Sequence, residues 1–287
     1  MISIVVPTLN EEGNIRRLIP SIIDVFSGKG IEVVILDGRS TDGTQELVKS
    51  FSRKHHYVRL VAQKGRGFAN ALAEGISAAR GEIIVTMDAE NHMPSEISKL
   101  VDELIGGDFD VVVGSRFMKG ADVELERKRL LSSNIANRIA RVGLRLNVKD
   151  CSSGFRAYKA EPVKEAVKKL RTKYFSVQVE ILEKIKNKGG RLGEIPVHYM
   201  KRESGKSKFR LKAAMSDATN LIKIAEENEL ENIKRRSSKM AESLKSRPGR
   251  IMKSIRRMGQ NSRRRSILPK SIRKRINSLK SKITRRQ

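Results

Sequence analysis

The first 115 residues alternate short apolar runs with longer amphipathic ones. Runs rich in Val and Ile at Ile2–Val6, Glu32–Leu36, Val58–Ala62, Glu82–Met87 and Asp110–Gly114 end in polar or glycine-containing turns and predict strands. Between them, Asn14–Phe26, Thr44–Lys54, Ala69–Ala79 and Ser95–Ile105 predict helices. The last three place apolar residues at three- and four-residue steps, and Pro94 ahead of Ser95-x-x-Ser98 marks a helix start. Strand and helix alternating at this spacing predict an α/β fold: a Rossmann-like, mostly parallel sheet flanked by helices on both faces. In such sheets ligands bind outside the carboxyl ends of the strands. Those ends are polar here: Pro7-Thr8-Leu9-Asn10-Glu11-Glu12, Asp37 through Thr44, Asp88-Ala89-Glu90-Asn91-His92, and Gly114-Ser115-Arg116. No G-x-G-x-x-G follows the first strand, which argues against a dinucleotide dehydrogenase.

The pattern changes from about residue 128. Arg129–Leu144 reads as a basic amphipathic helix, Asp150–Arg156 as a loop, Val177–Asn187 as a helix and Leu192–Tyr199 as a strand. A helical run, Ala213–Ile233, then leads into the tail. The formal net charge of +28 is unevenly spread. From Asn232 to Gln287 there are 21 Lys and Arg against one acid, Glu242, while the other 231 residues carry only +8. The chain therefore divides into a near-ordinary globular body, residues 1–212, and a strongly basic helical or disordered extension, residues 213–287.

Such an extension needs an anionic partner: a membrane surface, nucleic acid or an acidic protein. Ile267, Leu268, Ile272, Ile276, Leu279 and Ile283 recur at three- and four-residue steps with Lys and Arg between them, the pattern of a helix lying in a membrane interface. The tail has almost no aromatics for stacking on bases, so an anionic membrane surface is the expected partner and nucleic acid the alternative. Cys151 is the only cysteine, which fits a reducing compartment. No charged leader precedes the first apolar run, and no window approaches about 18 consecutive apolar residues. The expected location is cytoplasmic, peripheral on the cytoplasmic face of a membrane.

The chemistry concentrates at the strand ends. Asp88 and Glu90 stand two residues apart just past a buried strand, where a turn lets both carboxylates reach one cation. A divalent ion on a diphosphate wants hard oxygen ligands and neutralises a leaving diphosphate. Two solvated loop acids would look the same. His92 is a candidate third ligand, or a surface histidine. Asp37 is suited to accept from ribose hydroxyls or a base imide, while Asp42-Gly43-Thr44 is good turn chemistry. Lys64-Gly65-Arg66-Gly67 precedes a helix, so Lys64 and its neighbours are candidates for a phosphate contact, with a plain turn as the alternative. Arg116, Arg129, Arg156, Arg202 and Lys208 fall near element ends. Converging cations suit a substrate with two phosphates, though each alone reads equally as a solvated side chain.

Pro7-Thr8-Leu9-Asn10-Glu11, Asp37 through Thr44, Asp88-Ala89-Glu90, Gly114-Ser115-Arg116, Ser153 through Tyr158 and Gly205-Lys206-Ser207-Lys208 occur in that order. Over residues 1–212 this resembles the family 2 glycosyltransferases of the GT-A fold, and among them the dolichyl- and polyprenyl-phosphate mannose and glucose synthases. The resemblance implies that Pro7, Glu11 and Asp37 hold the nucleoside. It implies that Asp88 and Glu90, with His92 in the place of a family Gln, carry Mg2+ or Mn2+ on the donor diphosphate. Arg116, Arg129 and Ser133 would face the acceptor phosphate. Arg202 and Lys208 would close over the phosphates, and Gln178 and Glu180 would flank the sugar. The implied reaction moves mannose or glucose from a GDP- or UDP-sugar to polyprenyl or dolichyl phosphate with inversion. A phosphate monoester, with a second pKa of about 6, needs no general base. The chain departs from the family pattern at Leu9, where an aromatic is usual, at Gly38, where Asp is usual, and at Glu90 in place of a second Asp. The alternatives are a family 2 enzyme with another glycan or lipid acceptor, and a noncatalytic basic membrane- or nucleic-acid-binding protein.

Overall fold

The computed structural model describes residues 1–28, 30–172, 176–201 and 237–238, without the side chains of residues 127–129. The chain divides into two units, Met1–Asn228 and Glu229–Gln287, and every element below belongs to the first. The Gly205–Lys208 loop, the predicted helix Ala213–Ile233 and the tail lie outside the described residues.

Nine strands and seven helices alternate among the described residues: β1 Ile2–Thr8, α1 Glu12–Val25, β2 Ile31–Asp37, α2 Thr44–Lys54, β3 Val58–Ala62, α3 Phe68–Ala78, β4 Ile83–Thr86, α4 Ile97–Gly106, β5 Val111–Ser115, β6 Asp122–Val123, α5 Arg127–Gly143, β7 Arg156–Lys159, α6 Ala160–Val167, α7 Val177–Asn187, β8 Leu192–Pro196 and β9 His198–Tyr199. Seven strands form one sheet in the order β3-β2-β1-β4-β7-β5-β8. Neighbours run parallel except β7, which is antiparallel to β4 and β5.

Successive strand residues face opposite sides, and both sides are covered. Ile4, Val6, Val33 and Ile35 pack with Ile15, Ile19 and Leu100 from α1 and α4, whereas Val5 and Val34 pack with Leu72, Ile76 and Ile181 from α3 and α7. That is why Val33–Leu36 reads as an unbroken apolar run: it lies within β2, all seven of whose residues are buried.

Register brings the polar turns to one edge. Thr8 pairs with Asp37, Val5 with Thr86, and Ser115 with Pro196, so β1, β2, β4 and β5 end along the same rim. Because β7 runs the other way and starts at Arg156 opposite Thr86 and Val113, the loop that precedes it, residues 150–155, joins that rim.

The expected strands and helices of the first 115 residues are present, with α4 opened by a short 3-10 turn at Pro94–Glu96. β7 and α6 were not expected. The single strand expected over Leu192–Tyr199 breaks at Val197 into β8 and β9, which lie in different sheets. Pro196 has no N–H for a further partner and closes the edge strand β8, while Val197 turns into the core.

Candidate active site

The rim is built from stitched loops. At its β1–β2 end, Asp37 is buried and accepts from Ser40 N–H at 2.9 Å and Gln45 Nε2 at 2.8 Å. Asn10, at φ 54°, donates its N–H to Ser40 Oγ at 2.8 Å and accepts from Thr41 N–H at 2.8 Å. Asp42 accepts from Glu12 N–H at 3.2 Å and from the N–H and hydroxyl of Thr44, which in turn accepts from Glu11 N–H at 3.0 Å. Burial opposes ionisation of Asp42, but these bonds win and hold its carboxyl below the usual range. Asp42 is thus a turn and cap residue. The Glu11 carboxylate accepts from Asn14 at 2.6 Å, and Pro7 is half-buried beside it in sequence. Gly38 is tightly enclosed: a Cβ there would sit 3.0 Å from Gln63 Oε1 and 3.2 Å from the Thr8 carbonyl. This gives a packing reason for glycine where the family usually carries Asp.

The glycine-rich loop is capped from within. Glu74 on α3 accepts from Lys64 N–H at 2.7 Å and Gly65 N–H at 2.8 Å, so its carboxylate takes the amides a phosphate would want. The Lys64 side chain is exposed.

Asp88 and Glu90 lie just past β4, both partly exposed. Asp88 faces Gly154 and Gln178: a Cβ on Gly154 would lie 3.4 Å from Asp88 Oδ1 and 3.4 Å from Gln178 Nε2. Glycine therefore keeps a side chain out of the space between them. Gln178 is buried on α7, and its Oε1 has no hydrogen-bond partner among the described residues. His92 is buried, not a surface histidine. Its ring stacks on Phe155, centroids 4.6 Å apart, and meets Tyr199 edge-on at 5.3 Å. Burial, and then the charge of Arg116, push its imidazole down to about 3, so it is neutral at physiological pH. Among the described residues no group of three or more His, Cys, Asp or Glu side chains is placed to hold a metal.

Arg116 anchors the β5 end. Its Nε and Nη2 form a fork on Asp150 at 2.7 and 2.8 Å, its N–H adds a third bond at 3.1 Å, and Nη2 also reaches Ser152 Oγ at 2.8 Å. Phe117 and Tyr199 lie 5.4 and 5.3 Å from the guanidinium. Burial alone would lower the Arg116 pKa and raise that of Asp150. Their mutual bonds and charge reverse both, holding Arg116 up and Asp150 down. Asp88 is close enough that its charge also acts on Arg116. Nη1 is outside the fork. The node continues to α5, where Asn137 donates to Ser152 Oγ at 2.9 Å and accepts from Ser152 N–H at 3.0 Å. One turn earlier, Ser133 is half-buried and its carbonyl accepts from Asn137 at 2.9 Å. Arg129 lies in the first turn of α5, and its side chain lies outside the described residues, as do Arg202 and Lys208.

Two expectations are corrected. Arg156 is not a cleft cation. It is fully buried, donating to the carbonyls of Gln178 and Cys151 at 2.6 Å each, and so pins β7 to α7 and to the preceding loop. Glu180 does not face the sugar side. It is fully buried and accepts from Arg171 N–H at 2.9 Å, Thr172 N–H at 2.9 Å and Thr172 Oγ1 at 2.7 Å. Asp150, Ser152, Asn137 and Asn91 were missed. The spacing of Asp150 and Ser152, which places two short polar side chains in a loop two residues apart, was the available signal.

Comparison with known proteins accords with this geometry. The model of Glycosyl transferase family 2 matches residues 3–167. The dolichol-phosphate mannosyltransferase of Pyrococcus furiosus is 32% identical over 238 residues, 81% of this chain and 66% of the relative. The polyprenol monophosphomannose synthase of Mycolicibacterium smegmatis is 28% identical over 214 residues, 72% of this chain and 80% of the relative. Among solved structures, glucosyl-3-phosphoglycerate synthase of Mycobacterium tuberculosis with Mn2+, UDP and glucosyl-3-phosphoglycerate superposes with a TM-score of 0.60 at 22% identity, covering 77% of each chain. The same enzyme with Mn2+ and UDP-glucose gives 0.57 at 21%, covering 77% of this chain and 76% of that one. At that identity the likeness speaks for the fold.

Proposed function

The chain belongs to glycosyltransferase family 2, and from that premise we propose that it moves mannose or glucose from a GDP- or UDP-sugar to polyprenyl or dolichyl phosphate. The observation that carries this reading is the meeting of Asp88 with Gln178 across Gly154, within reach of the charge on Arg116, on the carboxyl rim of the sheet. The acceptor class follows the names of the archaeal and mycobacterial relatives.

Asp88 and Glu90 offer hard oxygen donors beside a space kept clear by Gly154, so they fit a divalent ion of the Mg2+ or Mn2+ class. Such an ion, when bound, neutralises charge on the leaving diphosphate. His92 backs the loop instead of ligating. Asp37, oriented by Ser40 and Gln45, and Glu11, oriented by Asn14, receive the nucleoside. Gln178 Oε1 accepts from a sugar hydroxyl. Arg116, fixed by Asp150, sets the positive edge of the cleft, and Arg129 and Ser133 receive the acceptor phosphate. Arg202 and Lys208 close over the donor phosphates.

A phosphate oxygen of the acceptor attacks the anomeric carbon, the bond to the nucleoside diphosphate breaks, and configuration inverts. The acceptor is mostly dianionic at neutral pH, so no residue need act as general base. The enzyme acts at the cytoplasmic face of a membrane, with the basic extension on anionic lipid. Transfer of radiolabelled sugar from a panel of GDP- and UDP-sugars tests this, with polyprenyl phosphate, free glycans and diacylglycerol as acceptors, with and without Mn2+. The expected result is metal-dependent transfer to polyprenyl phosphate that Asp88→Asn abolishes. Retained configuration, or no transfer from any donor, overturns it.

A further inference from the structure

Asn137 is almost fully buried on α5, at 3% exposure, on the face that also buries Ala140 and Leu144. An apolar side chain would pack there at less cost, because a buried amide needs partners for its oxygen and its nitrogen. Asn137 has them. Its Nδ2 donates to the Ser133 carbonyl at 2.9 Å, with Ser133 Oγ at 3.5 Å, and to Ser152 Oγ at 2.9 Å. Its Oδ1 accepts from Ser152 N–H at 3.0 Å. A flipped amide would set its oxygen against the Ser133 carbonyl, so only one orientation fits. Ser152 Oγ also accepts from Arg116 Nη2 at 2.8 Å, and its own proton goes to Asp150 Oδ1 at 3.2 Å. A relay therefore runs from Ser133 through Asn137 and Ser152 to Arg116, with donor and acceptor fixed at each step. Asp150 already holds Arg116 by three bonds. What Ser152 adds is a tie to α5.

We propose that Asn137 and Ser152 are positioning residues: they hold Ser133 and Arg116 at one spacing, so that the acceptor phosphate, which on the proposed reading lies between them, meets both already in place. Neither touches the substrate. The need for them is geometric. Arg116 follows β5 and Ser133 lies on α5, so the sheet register that aligns the strand ends does not align these two groups. A buried polar network with every member satisfied fixes one arrangement, where apolar packing would allow several. A guanidinium locked before the ligand arrives also loses no further rotamer freedom on binding. The fork on Asp150 orients Arg116 relative to the loop, and the Asn137–Ser152 step carries that orientation to the helix.

The test titrates the full chain with farnesyl phosphate, a soluble prenyl phosphate, in a calorimeter and runs transfer kinetics beside it. Removing one partner strands the other, so Asn137→Leu and Ser152→Ala are made together. Replacing both by apolar groups of similar shape is nearly neutral for stability, and the melt should stay within about 2 °C. The double variant should raise the farnesyl phosphate Kd and the KM for polyprenyl phosphate about tenfold or more, with the donor KM unchanged. Ser152→Thr keeps the hydroxyl and should bind farnesyl phosphate as the wild type does. If the double variant does not fold, Ser152→Ala read against Ser152→Thr decides the point by the same ratio of Kd values. An unchanged Kd in the folded double variant overturns the inference. So does a donor KM that rises in step with that of the acceptor, since the relay would then only hold the fold, and so does a wild type that binds no farnesyl phosphate. A wild type that binds farnesyl phosphate through the relay but transfers no sugar would instead count against the proposed reaction and leave this inference standing.

Discussion

Asn91 and Met200 hold each other twice: Met200 donates its N–H to the Asn91 carbonyl at 3.0 Å, and the Asn91 side-chain amide donates to the Met200 carbonyl at 2.8 Å. The carboxylate loop is thereby tied to the segment that leads into Arg202. Asn91 sits at φ 71°, a left-handed conformation that Asn tolerates better than most residues.

The pairing separates backbone strain from side-chain bonding. Asn91→Ala loses the amide bond and adds about 1–2 kcal/mol of left-handed strain, whereas Asn91→Gly loses only the bond, worth about 1 kcal/mol. Thermal melts should rank wild type above Asn91→Gly above Asn91→Ala. Both variants should raise the Mn2+ concentration for half-maximal transfer several-fold. An unchanged metal titration in both would show that the clamp does not set the loop.

Much of this was legible in the sequence because burial on both faces leaves a plain signature. The runs at Ile4-Val5-Val6 and Val33-Val34-Ile35 have no other use than a covered parallel sheet. β7 was not legible, since Phe155-Arg156-Ala157-Tyr158 mixes an arginine into a strand buried along both faces, and arginine is rarely fully buried. Asp88, Arg116 and Gln178 were named as candidates from motifs. Asp150 was not, because nothing local distinguishes a loop acid from one that receives a guanidinium 34 positions away.

Gly154→Ala probes the space between Asp88 and Gln178. The new Cβ would meet only ordinary contacts at 3.4 Å, so the fold and melting temperature should be nearly unchanged. Transfer should nevertheless fall about tenfold or more, the equivalent of roughly 1.4 kcal/mol at the transition state, because the methyl enters the donor's space. Full activity in a folded Gly154→Ala protein would move the donor elsewhere.

Asp150→Asn removes the charge that Arg116 is bonded to. Breaking one partner of a buried pair costs about 3–5 kcal/mol, and a urea titration should read it. The pH dependence has a definite sign. Asp150 is held below its ordinary value of 3.8 in the fold, so its stabilisation is complete above that value and is lost as pH falls below it. The variant should lack this acid-limb slope. Equal slopes in the two proteins would mean that Asp150 is not the group titrating.

His92 gives a second, higher window. Its imidazole is held down to about 3 against an ordinary 6.5, by burial first and Arg116 second. A depressed pKa stabilises the fold fully above 6.5 and loses that contribution as pH falls toward 3, by up to about 1.4 kcal/mol per unit. His92→Phe keeps a flat ring against Phe155 and Tyr199 without a titrating nitrogen. The variant's stability should therefore be flatter between pH 6.5 and about 5 in urea titrations, a range in which Asp150 contributes little slope. On the proposed reading the ring backs the carboxylate loop, so the Mn2+ dependence of transfer at pH 7.5 should survive the substitution. A folded His92→Phe protein that no longer responds to Mn2+ would return His92 to the ion, and require the loop to open from its aromatic stack when metal binds.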